Sequence, residues 1–167
     1  MDELEMRVRA AAEATGVPFE VIECDPALAD TAAFCEAYGY STDISANTIV
    51  VGSKTDPPMY VACVVLATSR LDVNGTVRRK LGARKVSFAP ADATAEVTGM
   101  VMGGVTMFGL PDGLPIWIDA EVMRRDRIIV GGGSRGLKLL VPVEALAALP
   151  GAEVVDALAN PIPSTPA

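Results

Sequence analysis

Two glycine clusters stand out among the residues whose types and spacing can do chemistry. The run Met100-Val101-Met102-Gly103-Gly104-Val105-Thr106-Met107-Phe108-Gly109-Leu110-Pro111 fits neither a helical nor a strand period. Gly131-Gly132-Gly133-Ser134-Arg135-Gly136 reverses the chain between two apolar runs. Adjacent glycines let backbone N–H groups converge on a concavity that holds an oxyanion or a phosphate; each cluster alone reads more simply as a tight turn, and only their joint presence favours a site. Neither follows a G-x-G-x-x-G or G-x-x-x-x-G-K-[ST] pattern, so nucleotide binding of those kinds is not expected. Thr106 places a hydroxyl inside the first cluster and Thr48 another at a strand start, while Asp119 ends the apolar run Pro115-Ile116-Trp117-Ile118. Asp119 is placed either to work in a site or simply to cap the next turn at Ala120. Histidine is absent altogether, which excludes a Ser-His-Asp triad, a Cys-His dyad and any zinc site that needs imidazole. The carboxylates show no ligand spacing either, so no metal and no cofactor is expected.

The elements that must position these residues read as one mixed α/β (α+β) domain over residues 1–159, with a disordered, proline-rich tail over 160–167. Leu4, Val8, Ala11 and Ala12 recur at helical spacing before Gly16, and Thr31 is a cap for a short helix ending near Gly39. Phe19 to Cys24 alternates as a strand. Thr48 to Val51 and Met59 to Ala67 form a hairpin with a polar tip that carries Lys54. Asp72 or Asn74 caps a helix over Val73 to Leu81, and Lys85 to Phe88 returns as a strand. A helix from Asp92 to Thr98 stops at Gly99. Strands over Ile116 to Asp119 and Ile128 to Val130 flank a helical turn. Leu137 to Val141 is a further strand, and Pro142 opens the helix after it. Val154 and Val155 are a last short strand. The irregular alternation argues against a doubly wound parallel sheet.

With 167 residues, half of them apolar, the chain suits one core, and no apolar run approaches the ~20 residues of a membrane span. The acidic, amphipathic start MDELEMRVRAAAEATG is unlike a secretory signal, and Cys24, Cys35 and Cys63 lack metal or disulfide spacing. A cytoplasmic location with reduced thiols and no membrane partner is the expectation. The net charge of −7 is uneven: residues 1–50 hold two basic and ten acidic side chains, residues 70–138 eleven basic and seven acidic. The second segment is either a phosphate-gripping face or an ordinary solvated surface.

Read in order, Thr48-Ile49-Val50-Val51, Leu71-Asp72, Gly82-Ala83-Arg84-Lys85, Thr98-Gly99, Gly103-Gly104-Val105-Thr106, Phe108-Gly109-Leu110, Ile118-Asp119 and Gly132-Gly133-Ser134-Arg135-Gly136-Leu137 form a set. From Ser45 to about Asp156 the chain resembles the YbaK/prolyl-tRNA-synthetase-associated domain family of aminoacyl-tRNA trans-editing deacylases. No single motif is specific; their order and spacing carry the resemblance. It implies a curved, barrel-like mixed sheet with peripheral helices. It also implies hydrolysis of the ester joining a wrong amino acid to tRNA, with substrate hydroxyls, a bound water and backbone donors doing the work of a side-chain nucleophile. The partner would be the 3′ acceptor end of an aminoacyl-tRNA, and an aminoacyl-tRNA synthetase is the candidate protein partner.

On the same resemblance, Gly103 and Gly104 are the oxyanion donors, Thr106 orients water or substrate, and Asn47 stands where the family has a lysine. Thr48, Val105, Met107, Asp119, Gly132, Gly133 and Ser134 would line or support the substrate pocket. Met107 replaces a family proline, which implies a changed choice of amino acid at the rim. Asn47 still donates a hydrogen bond but supplies no charge. Losing one charge-assisted contact costs about 1.5–3 kcal/mol, a weakening of roughly ten- to hundredfold. Lys54, seven residues on across a turn, reads most simply as a solvated turn residue, and simple loss of the charge has more support than its replacement by Lys54. Two other readings stay open: a non-catalytic module that binds aminoacyl-tRNA or aminoacyl-nucleotide, and an unrelated small-molecule hydrolase or binder on the same fold.

Overall fold

A computed structural model describes residues 2–163. The helices are α1 (Glu3–Glu13), α2 (Thr31–Tyr38), α3 (Arg78–Leu81), α4 (Ala91–Thr98), α5 (Ala120–Met123) and α6 (Glu144–Ala147). The strands are β1 (Glu20–Glu23), β2 (Ala46–Ser53), β3 (Tyr60–Leu66), β4 (Ser69–Leu71), β5 (Val86–Phe88), β6 (Ile116–Asp119), β7 (Arg127–Gly131), β8 (Leu137–Pro142), β9 (Ala152–Val155) and β10 (Ala159–Pro161). Most capping signals act as their chemistry requires, but Thr31 is the first residue of α2 and not its cap; the N-cap is Asp30, whose side chain makes no capping bond. Asp2 accepts from the Glu5 N–H at the start of α1, Asp72 accepts from the Thr76 N–H at the start of a π-helical turn leading into α3, and Gly39, Gly82 and Gly99 end their helices in the left-handed region.

The architecture is a mixed α/β single domain, as expected, but the sheet does not close into a barrel. Five strands run in the order β5-β2-β3-β6-β9, antiparallel around β2 and parallel from β3 to β9. An antiparallel sheet β1-β8-β7 lies beside it, joined by a single parallel bridge between Ser45 and Ile129. That bridge forms the seam at which the candidate site opens.

Alternation along the central strand divides the core. Val61, Cys63 and Val65 of β3 pack with Trp117, Val77 and Leu158, whereas Val64 and Leu66 face Ile118, Leu139, Val141 and Val8. A third cluster of Phe34, Cys35, Ile129 and Leu140 fastens α2 to the β7-β8 pair.

Two boundaries differ from the sequence expectation. Pro142 is the last residue of β8, paired with Arg127, and does not open the following helix, because the ladder at its carbonyl side persists to the strand end. The expected tail is ordered at its start: Asn160 and Pro161 pair with Arg70 and Ser69, and the Ile162 N–H donates to the Thr68 carbonyl. Three prolines near the terminus misrepresent this stretch, since an edge strand tolerates proline. Residues 164–167 of that tail lie outside the described residues.

Candidate functional site

The seam opens into a cavity of about 250 Å³. Its walls come from the turn before α2 (Ala29, Asp30), from α2 (Thr31, Phe34), from the start of β2 (Asn47, Thr48), from the glycine loop (Met102, Gly103, Val105) and from Gly131 and Lys138 of the three-stranded sheet.

At the start of β2, Asn47 and Thr48 sit opposite Val65 and Val64 of β3, and that pairing fixes their backbone. Thr31 Oγ1 donates to Asn47 Oδ1 at 2.8 Å, so the amide oxygen is occupied and the amide N–H groups remain for a ligand. Thr48 Oγ1 is buried and has no hydrogen-bond partner among the described residues.

The glycine loop is held from behind. Gly104 N–H donates to the Val101 carbonyl and Gly133 N–H donates to the Gly104 carbonyl, both at 3.0 Å. A Cβ on Gly104 would lie 2.8 Å from the Gly133 carbonyl oxygen, and one on Gly131 only 2.5 Å from that of Val105. Glycine is therefore required at 104 and 131 by close backbone approach. In front, the Arg135 guanidinium straps the loop down: it donates to the Met102 carbonyl (3.3 Å) and the Pro26 carbonyl (3.0 Å) and reaches the Asp30 carboxylate (3.4 Å).

Lys138 is the residue that sequence reasoning missed. It is 7 % exposed, its Nζ donates to the Gly103 carbonyl at 3.4 Å, and it lies 5.7 Å from the centre of the Phe34 ring. Burial pushes its pKa below the ordinary lysine value of 10.5, with Arg135 acting the same way and Cys24 and Asp30 opposing. The available signal was the strand itself: in Leu137-Lys138-Leu139-Leu140-Val141 one charged residue interrupts a wholly apolar run. Lys54 is exposed at the hairpin tip and does not line the cavity.

Of the anticipated site residues, the cavity gathers Asn47, Thr48, Gly103 and Val105. Others are placed elsewhere, each for a physical reason. Gly104 lies behind the loop with its N–H already donated to Val101. Thr106 is fully buried, its hydroxyl against the Met107 sulfur, because the loop turns it into the core. Met107 is also core, and it borders a different, more apolar cavity of about 590 Å³ with Leu110, Leu114 and Leu149, so it is not a rim residue of this site. Gly132 and Gly133 bond Leu137 and Gly104, and Ser134 donates to Glu5 of α1 at 2.5 Å; all three brace the loop and do not line the cavity. Asp119 is buried at the end of β6, near the backbone N–H groups of Leu158, Ala159 and Ala120; burial raises its pKa and those donors oppose the shift. Its place is beside the C-terminal strand.

Among the described residues no cluster of ligand side chains could hold a metal, and no helix is long and apolar enough to cross a membrane. Part of the positive charge of residues 70–138 is neutralised locally, by Lys80 with Glu153, by Arg124 and Arg125 with Glu121, and by Arg135 with Asp30.

The fold matches solved structures along nearly its whole length. One, described as a candidate trans-editing enzyme for prolyl tRNA synthetase, superposes with a TM-score of 0.79 at 24% identity over 96% of this chain and 98% of that one. Another, a hypothetical protein, gives 0.80 at 24% identity over 90% and 97%. Among curated proteins, EbsC of Enterococcus faecalis, named as a candidate Cys-tRNA(Pro)/Cys-tRNA(Cys) deacylase, is 28% identical over 101 residues. That match covers 60% of this chain and 59% of EbsC. The profile of the aminoacyl-tRNA editing domain matches residues 25–149, a span that contains every wall of the cavity. The chain belongs to the aminoacyl-tRNA editing domain family.

Proposed function

We propose that the protein hydrolyses, in trans, the ester linking a mischarged amino acid to the 3′ end of a tRNA. The observation that carries this reading is the cavity itself, which brings the start of β2 and the glycine loop together around about 250 Å³. That volume lies just below the ~300–1,000 Å³ of drug-sized sites, which suits a small acyl group with part of the terminal nucleotide. EbsC, by its name, acts on the same class of ester, and family membership supports the assignment.

Water attacks the ester carbonyl carbon, the carbonyl oxygen gains negative charge, and the bond to the ribose oxygen breaks with return of a proton to that oxygen. The N–H groups of Gly103 and Val105, which have no partner among the described residues, are the donors proposed for the developing oxyanion, in place of the Gly103 and Gly104 pair. Asn47 donates from its amide to the acyl end. An activated ester needs little beyond positioning and oxyanion stabilisation, so the lack of histidine is no obstacle.

A second reading, a binding module without turnover, is favoured by Asn47 and by the inward turn of Thr106, which leave few side chains able to activate water. The protein and its Asn47→Lys variant, incubated with correctly and incorrectly charged tRNAs, separate the two. Faster ester loss from at least one mischarged tRNA with the natural protein supports the deacylase. Loss with the variant alone assigns the binder, and no loss with either removes the editing reading.

A further inference from the structure

The Lys138 ammonium has three donors, and one of them meets the Gly103 carbonyl. Among the described residues no carboxylate lies within ion-pair distance of it. The groups facing it are the Cys24 thiol from the end of β1, Cys35 and the Phe34 ring from α2, Asp30 before α2, and Arg135 from the glycine turn. Asp30 is committed to Arg135 and is largely exposed. A cation removed from water in this way is costly unless an anion completes it. The cavity is where such an anion can arrive, since Lys138 lines it with Asn47 and Gly103.

We propose that Lys138 is an anion-binding residue of the site, taking an anionic oxygen of the ligand into charge-assisted hydrogen bonds. Two oxygens of an aminoacyl-tRNA end have this chemistry: those of the phosphate preceding the terminal adenosine, and those of a carboxylate side chain on the acyl group. The proposal deepens the deacylase reading and rests on it for the identity of the ligand. A residue that only held the Gly103 carbonyl would not discriminate between charged and neutral ligands.

Calorimetric titration with two pairs of probes tests this. The first pair is adenosine and adenosine 5′-monophosphate. The second is two hydrolysis-resistant 3′-amide analogues of aminoacyl-adenosine, one alanyl and one aspartyl. In at least one pair the natural protein binds the anionic member roughly ten- to hundredfold more tightly. In Lys138→Met that ratio falls to within about twofold. Lys138→Gln, which keeps a donor for Gly103, loses the ratio as well and serves if the methionine variant does not fold. A ratio in the first pair identifies the phosphate, and one in the second identifies the side chain. Equal affinities within both pairs, a ratio that survives both substitutions, or no binding of any probe overturns the proposal. Deacylation of the tRNA panel is measured in parallel. Hydrolysis without a Lys138-dependent ratio removes only the anion site, and a Lys138-dependent ratio without hydrolysis removes only the deacylase.

Discussion

Thr31 Oγ1 and Asn47 Oδ1 lie 2.8 Å apart, a hydrogen bond that ties the first residue of α2 to the second residue of β2 across the wall of the cavity. It selects one orientation of the Asn47 amide. Thr31→Val keeps the shape and removes the donor, so the amide is free to rotate. A neutral hydrogen bond contributes about 1 kcal/mol, and kcat/KM on the responsive mischarged tRNA is expected to fall roughly fivefold with the melting temperature nearly unchanged. Steady-state deacylation beside thermal unfolding checks this; an unchanged kcat/KM refutes it.

Gly104→Ala and Gly131→Ala test the close approach behind the loop. Each added Cβ meets backbone, which cannot yield as a flexible side chain can. Both variants are expected to lose about 1–3 kcal/mol, a fall of several degrees in Tm, together with most of the activity. Gly113 is the control. Unlike those two it has a positive φ, but nothing lies within 4 Å of its would-be Cβ, so alanine there brings only backbone strain and leaves the site intact. Thermal melts and activity on the three variants decide the matter.

Arg135→Met removes the strap between Met102, Pro26 and Asp30 while retaining a long apolar stem. Catalysis that depends on loop donors is expected to drop roughly ten- to hundredfold. Hydrogen exchange at the Gly104 and Gly133 N–H groups should quicken at the same time, since their bonds to Val101 and Gly104 lose their cover. Exchange that stays as slow as in the natural protein contradicts the strap.

Lys138 also has a signature in stability. In the unfolded chain its proton is held up to the ordinary value of 10.5, whereas in the folded protein burial releases it at lower pH. Between those two values the unfolded state binds more protons, so stability rises with pH across that window. Lys138→Met lacks the rise. Its Tm is therefore expected to exceed that of the natural protein at neutral pH, and the gap should narrow as pH climbs through the folded-state value toward 10.5. Melting curves across this range that run parallel would refute the buried charge.

Much of the local structure was legible in the chain. The helices end where glycine permits a left-handed turn, at Gly39, Gly82 and Gly99, and β3 announces itself by an apolar run with β-branched residues on both faces. These features depend on a residue and its near neighbours. The small pairing of β4 with β10 was not legible, because three-residue edge strands carry too little periodicity and the prolines around residue 161 point to a loop.

The site divides along the same line. Residue type and order alone determined the family resemblance, the absence of imidazole chemistry, the replacement of a lysine by Asn47, and the presence of a glycine loop. Only the tertiary structure decided which loop residues face the cavity. In an irregular segment no period relates neighbours to faces, so Gly103 and Val105 point one way and Thr106 and Met107 the other. It also decided which cation the cavity owns. Lys54 is near Asn47 in sequence, but a hairpin carries it away to the tip, whereas Lys138 is ninety-one residues distant and returns through the pairing of β8 with β7 and the bridge from Ile129 to Ser45. Charge in a site is set by which strands lie side by side, and strand order is a long-range property that no local pattern of residues encodes.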